Sequence, residues 1–351
     1  MNATEPAGFP LVLGTWQLDG RDWGPFSARQ GKALLIAAWE RGVRYFDSAE
    51  RYGNGRAEQL IGQALRDVIR GNRETLSIAS KSELRPPSSL TRHLERSLRR
   101  IGTDYLDLYY IHWPREGMSL PAAVEELERN RRRGLIRAIG VSNVTPGELE
   151  EAQGAGTIDA LQLGYNLIWR RPERQFGALL TGGAPEPPPI VAADPTPAAA
   201  PAPPRVFAYS PLAQGLLAHP FPAERDQLPE DHRRETPLFS GPVWPAVHAF
   251  ATEMLATCRE HGLEPAAVAL AWLLARGVTP VVGVHTPTQL DRLVEALNRR
   301  GSPPWAEGEA LLSILTTASD ALQKNLPDLP NMFGYVPRPC DPPESAVHTW
   351  G

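Results

Sequence analysis

Cysteine is nearly absent: Cys258 and Cys340 are the only two in 351 residues. Two cannot build a disulfide framework, and neither stands at metal-ligand spacing from another ligand type. A reduced, cytoplasmic setting without a metal centre is the expectation. Long hydrophobic runs are missing as well. No stretch approaches the roughly 18 apolar residues of a membrane span, and Met1 to Pro10 lacks the basic-then-apolar order of a secretory leader. Charge of one sign is not in excess, the net being −4, so no basic field exists for nucleic acid or an anionic membrane, and neither is expected as a partner. The one dense cationic run, Arg129 to Arg133, falls at the end of an expected helix, where cations favour the dipole and face solvent. A Gly-rich phosphate turn is also lacking. The first apolar run leads into Gly14-Thr15-Trp16-Gln17-Leu18-Asp19-Gly20, which does not supply the GxGxxG of a doubly wound dinucleotide fold.

What is present is a regular alternation of strand-like and helix-period segments, the mark of parallel βα units. Strands are expected at Leu11–Trp16, Arg44–Ala49, Leu76–Lys81, Leu106–Trp113, Ile136–Ser142, Ala160–Tyr165, Val206–Tyr209 and Pro280–Val284. Amphipathic stretches lie between them, among them Ser27–Trp39, Ala57–Val68, Ser88–Arg100 and Leu120–Arg133, several closed by glycine (Gly42, Gly102, Gly134). Eight units without a phosphate turn favour an α/β fold of the closed (β/α)8 TIM-barrel type, a single domain over residues 1–351 with its core at about 11–300. The 42% hydrophobic content suffices for such a core.

Three segments depart from the pattern. Thr181–Pro204 holds nine prolines and seven alanines in 24 residues. It reads as an extended insertion before strand 7, adding little to the barrel and nothing to chemistry. His219–Trp244 is long enough to be a lid or substrate loop. The C-terminal extension, 301–351, contains a helical stretch from Ala306 to Gln323 and a Pro-rich tail expected to fold over one end of the barrel.

Four polar residues, Asp47, Tyr52, Lys81 and His112, sit at or just past the ends of three consecutive strands, where barrel chemistry gathers. Together they suit protonation of a carbonyl oxygen while a hydride reaches its carbon. Tyr52 is the candidate general acid, and a neighbouring cation would be needed to lower the pKa of a phenol; Lys81 is that candidate, held by Asp47. His112 would donate to or orient the carbonyl. A barrel hydrolase would instead want paired carboxylates or a His-rich metal set, and only Asp47 and His112 are available for it.

The flanks of these residues carry a resemblance. Phe46-Asp47-Ser48-Ala49-Glu50-Arg51-Tyr52-Gly53, Ile139-Gly140-Val141-Ser142-Asn143 and Ala208-Tyr209-Ser210-Pro211-Leu212 resemble, in order, motifs of the aldo-keto reductase superfamily. Ser48 replaces the family's usual Thr. The likeness extends from about Leu11 to about Leu297 and implies reversible reduction of an aldehyde, ketone or sugar by a nicotinamide cofactor. It implies that Ser142, Asn143 and Gln162 hold the carboxamide and that Tyr209 stacks on the ring. By the same resemblance Ser210, Pro211, Leu212, Gln214 and Gly215 wrap the pyrophosphate, with Trp16, Asp47, Gly283, His285 and Gln289 completing the cofactor set. NADPH is the cofactor implied. NADH is the alternative, because Gln289 stands where relatives usually carry Lys or Arg for the 2′-phosphate, and Leu293 replaces their Asn. Trp23, Tyr52, His112 and Trp113 would meet a small carbonyl or alcohol substrate. A regulatory or scaffold subunit of the same fold is the second reading, weakened because a pure sensor needs no acid.

Overall fold

The computed structural model describes residues 11–181, 202–299, 308–329 and 331–334. Eight strands form one closed parallel barrel in sequence order: β1 Val12–Gly14, β2 Tyr45–Asp47, β3 Ser77–Ser82, β4 Leu106–Ile111, β5 Ile136–Ser142, β6 Ala160–Gly164, β7 Arg205–Tyr209 and β8 Thr279–Val282. β1 pairs with both β2 and β8, which closes the ring. The TIM-barrel expectation holds. Several strands are shorter than the apolar runs suggested. The expected first strand ends in a 3₁₀ turn at Trp16–Asp19, and pairing in β4 stops before His112.

Strand periodicity sorts the side chains. Alternate residues face the barrel interior, where Val12, Ala79, Leu108, Tyr110, Ala138, Ala160, Phe207 and Val281 form one buried cluster. The next inward positions along β2, β3, β4, β6 and β7 are Asp47, Lys81, His112, Gln162 and Tyr209. The same register that fills the barrel with apolar groups therefore lifts a polar layer to its C-terminal mouth. Gly140 shows how tight the packing is: a Cβ there would lie 2.3 Å from the Tyr110 ring. The opposite parity packs outward against the helices in a second, larger apolar cluster.

Helices follow the expected segments closely. Ser27 caps Ala28–Glu40 with a capping box to Gln30. Pro87–Ile101 ends at Gly102 with φ 78°, the left-handed stop that glycine permits. The expected Ala57–Val68 helix is instead two, Arg56–Ala64 and Arg66–Gly71, because the Leu65 backbone leaves helical geometry (φ −107°, ψ 20°). In the C-terminal extension the helix covers Gly308–Gln323. Gln323 Nε2 donates to Ile168 O at 2.9 Å and Ser319 Oγ to Leu167 O at 2.5 Å, which docks that helix after β6. Of the Pro-rich tail, Met332 and Phe333 are buried. Most of the 181–204 insertion lies outside the described residues. Among them, no helix is long and apolar enough to cross a membrane.

Candidate active site

A cavity of about 520 Å³ opens at the C-terminal ends of the strands, running from Trp16, Tyr52 and His112 to Gln289 and Arg292. Asp47 and Lys81 form a buried ion pair at its floor. Lys81 Nζ also donates to Ser48 O at 2.8 Å and reaches Tyr52 Oη at 3.5 Å. The other Asp47 oxygen accepts from Gln162 Nε2 at 3.0 Å, so both carboxylate oxygens are committed. Tyr52 stacks on Trp16 at 6.1 Å between centroids and meets the His112 ring edge-on at 5.9 Å. The four residues expected to act together are thus adjacent in space.

Their electrostatics differ from expectation in one respect. Burial, reinforced by the Asp47 charge, raises the Tyr52 phenol well above its ordinary value; Lys81 does not lower it as the sequence suggested. The cation nearest the phenol is already engaged by Asp47. Burial also pulls the Lys81 amine below its usual pKa, while Asp47 opposes the shift. His112 is held well below the usual imidazole range by burial and by the Lys81 and Arg51 charges. The free site at neutral pH therefore holds a protonated phenol beside a neutral imidazole.

The remaining expected residues converge, with one qualification of role. Trp23, Trp113, Asn143, Gln162, Tyr209, Ser210, Pro211, Leu212, Gln214, Gly215, Gly283, His285 and Gln289 all line the cavity. Ser142 does not. It is fully buried, donating to Gln162 O at 2.9 Å and accepting from Asn143 Nδ2 at 3.0 Å, so it orients Asn143 from behind. Asn143 adopts φ 57° and accepts from Tyr209 Oη at 2.7 Å. Phe333 from the tail stacks on Tyr209 at 5.7 Å. Gln289 turns back to cap the helix Pro287–Asn298, accepting from the His285 and Thr286 amides at 2.7 and 3.2 Å.

The loop after β7 has the backbone of an anion cradle. Ser210, Ala213 and Gln214, none of them glycine, have φ between 47° and 59°, followed by Gly215 at 101°. Such backbone costs about 1–3 kcal/mol per residue and is retained where function over-determines it. Gln214 Oε1 accepts from Thr236 Oγ1 at 3.3 Å, while its Nε2 is buried with no hydrogen-bond partner among the described residues. An orphaned buried donor lining this cavity fits an anionic group, and Arg233, whose Nη1 donates to Gln214 O at 3.4 Å, adds positive charge beside it.

Sequence reasoning missed several residues here. His232, from the segment expected as a lid, binds Asp22 O through Nδ1 at 2.6 Å and packs on Trp23 at 4.2 Å. Glu50 lies two residues before Tyr52, and its carboxylate contacts Ser82 Oγ at 2.8 Å, His93 Nδ1 at 2.6 Å and Arg85 Nη2 at 3.1 Å. Its signal was its place inside the Phe46–Gly53 motif. Burial alone would raise the Glu50 pKa, but His93 and Arg85 hold it down to about 2 against an ordinary 4.5. A depressed carboxyl stabilises the fold above its unfolded pKa and loses that stabilisation as pH falls toward the folded one. The shift corresponds to about 3 kcal/mol. Glu50→Gln is accordingly expected to lower unfolding free energy by about that amount at neutral pH, with the gap to wild type closing as pH falls from 4.5 to about 2; urea titrations across that range check it.

With this geometry in view, comparison with known proteins is decisive. The Aldo/keto reductase family model matches residues 10–180 and 204–303. The chain belongs to the aldo/keto reductase family. Aldo-keto reductase YhdN of Bacillus subtilis is 27% identical, covering 81% of this chain and 84% of that one. The NADH-specific methylglyoxal reductase of Escherichia coli is 26% identical, covering 82% and 89%. An aldo-keto reductase from Klebsiella pneumoniae, solved in complex with NADPH, superposes with a TM-score of 0.63 at 24% identity, covering 93% and 95%. The family match skips residues 181–203, so this chain carries its Pro/Ala-rich segment as an interruption of the shared pattern.

Proposed function

We propose that the protein is a nicotinamide-dependent oxidoreductase that interconverts a carbonyl and an alcohol, with Tyr52 as the general acid and base. The observation that carries this reading is the floor of the cavity, where Tyr52 Oη lies within 3.5 Å of a lysine that is itself fixed by Asp47. When bound, the nicotinamide supplies the hydride. The protein's own task is the proton. As negative charge grows on the carbonyl oxygen, a phenol that is firmly protonated at rest becomes able to release its proton. Lys81 then offsets the charge left on Tyr52. His112, neutral, donates a hydrogen bond to the same oxygen and adds no competing charge. Trp16, Trp23 and Trp113 give the substrate apolar walls. The test is a panel of aldehydes, ketones and sugars assayed for loss of reduced-nicotinamide absorbance. Failure of every compound with both cofactors would overturn the reading.

NADPH is the preferred cofactor in this proposal, supported by membership of the family, with NADH as the alternative because of the E. coli relative's specificity. Gln289 is the discriminating position. Gln289→Arg would lose a capping box, at a cost of about 1 kcal/mol, and would bring a guanidinium to the same rim. NADPH binding is expected to tighten relative to NADH. Equal shifts of both dissociation constants, read by quenching of tryptophan fluorescence, would assign the 2′-phosphate to other residues.

A further inference from the structure

Arg56 opens the helix Arg56–Ala64, four residues after Tyr52, and its side chain reaches to the segment that follows β1. Nη1 donates to Leu18 O and to Asp19 O, each at 3.0 Å, and Nη2 donates to Phe26 O. Leu18 and Asp19 close the 3₁₀ turn Trp16–Asp19, and the last carbonyls of such a turn lack partners within it. One planar guanidinium therefore gathers three backbone acceptors from a single segment. No ion pair to Arg56 is found among the described residues, so carbonyls alone hold it. The packing is close. A Cβ on Gly20 would overlap the guanidinium, and one on Gly53 would lie 3.0 Å from Arg56 Cβ and 3.1 Å from Asp19 Cα.

This contact joins two elements that the site needs in register. Trp16 is the first residue of the turn, and Tyr52 stacks on it at 6.1 Å between centroids. Lower down, Thr15 ties the same two segments: its N and Oγ1 both donate to Asp47 O, at 3.0 and 2.9 Å. Above Asp47 the chain leaves the sheet. Gly53, Asn54 and Gly55 have φ of 58°, 52° and 86°, three consecutive left-handed residues between Tyr52 and Arg56, so no strand ladder sets the height of the loop. Two guanidinium groups brace it instead. Arg56 does so from the β1 side, and Arg100 from the helix Pro87–Ile101, where it occupies the space a Gly55 Cβ would need and bonds Glu58 Oε2 at 3.0 Å.

We propose that Arg56 is a positioning residue for the proton transfer. By holding the Leu18, Asp19 and Phe26 carbonyls it fixes the loop of Tyr52 against the turn of Trp16, and so holds the phenol at the reacting oxygen. This rests on the proposed reductase activity, in which Tyr52 is the acid. A misplacement of about 1 Å at a reacting group can cost up to about a hundredfold in rate, and the Tyr52 hydroxyl has only a 3.5 Å contact with Lys81 Nζ to guide it. Lysine at position 56 would keep the charge but not the fork that spans separate carbonyls.

The test is a double-mutant cycle. Arg56→Met should lower kcat about tenfold or more at saturating cofactor, with the cofactor dissociation constant, read by quenching of tryptophan fluorescence, within about twofold of wild type. Arg56→Lys should show the same pattern with a smaller loss, and it decides the matter should Arg56→Met fail to fold. In a Tyr52→Phe background either substitution should lower the residual rate by no more than about twofold, because a residue that acts through the phenol has nothing left to align. Wild-type kcat in a folded Arg56 variant, or an equal fold-loss in both backgrounds, would overturn the inference while leaving the reductase reading intact. If the wild type reduces no compound, the reductase reading falls, and the clamp is then decided without turnover. The indole N–H resonance of Trp16, assigned by Trp16→Phe, feels the ring current of Tyr52. Tyr52→Leu should move it, and Arg56→Lys should move it in the same direction; an unmoved resonance in Arg56→Lys would refute the clamp itself.

Discussion

Tyr52→Phe is expected to cut turnover of a carbonyl substrate at least about a hundredfold, near 2.7 kcal/mol of transition-state stabilisation, the lower end for loss of a general acid. The substitution removes one oxygen. The ring keeps its stack on Trp16 and its edge contact with His112, and the hydroxyl's hydrogen-bond partner among the described residues, Lys81 Nζ, is at the outer limit of hydrogen-bond distance. Folding stability and cofactor affinity should therefore barely change. Because burial and the Asp47 charge raise the phenol's pKa, wild-type reduction should show no loss of the acid on the acidic or neutral side. Steady-state kinetics on both proteins, with cofactor binding read by fluorescence, check the assignment. Near wild-type turnover in the variant would sink it.

The fold and the polar floor of the cavity were legible because both follow from local patterns. Period-two alternation fixed which residues of each strand face inward, and the last inward positions of the strands happen to be polar. Residues joined only by the closed topology were harder to read. Gln162 reaches Asp47 across 115 positions of chain, and His232 reaches Asp22 across 210; neither pairing has a local signature. Gln289 was read by its position in the motif, yet its side chain is engaged by two backbone amides three and four residues earlier. That competing role is a capping pattern, Thr-Pro-Thr-Gln, visible in the sequence itself. The lowered phenol pKa failed for a different reason. Proximity of a cation was inferred correctly, but desolvation and the partner carboxylate, which depend on burial, outweigh it. Phe333 lies in a Pro-rich tail with no periodicity, so nothing in its neighbourhood marked it as a wall of the site.

Lys81→Met tests whether the buried ion pair tunes the site. Methionine approximates the length of lysine but leaves Asp47 with Gln162 as its remaining side-chain donor and an uncompensated charge in a buried position. Breaking such a pair from one side costs about 3–5 kcal/mol of stability, so the variant should unfold at distinctly lower urea while keeping its circular dichroism. Turnover should fall as well, since charge arriving on Tyr52 during proton release is no longer offset. The pH profile separates these effects. In the wild type the Lys81 amine titrates below its usual 10.5, because burial outweighs Asp47. Raising pH through that point discharges the ammonium, and reduction should decline on the alkaline side. The variant has no ammonium to lose, and burial and Asp47 still hold its phenol well above the ordinary value. Its lower rate should hold to higher pH, moving the alkaline limb upward. A variant that is merely loosened would keep the wild-type limb at reduced amplitude, and an unchanged pH dependence in folded Lys81→Met would show that Lys81 does not tune the proton transfer.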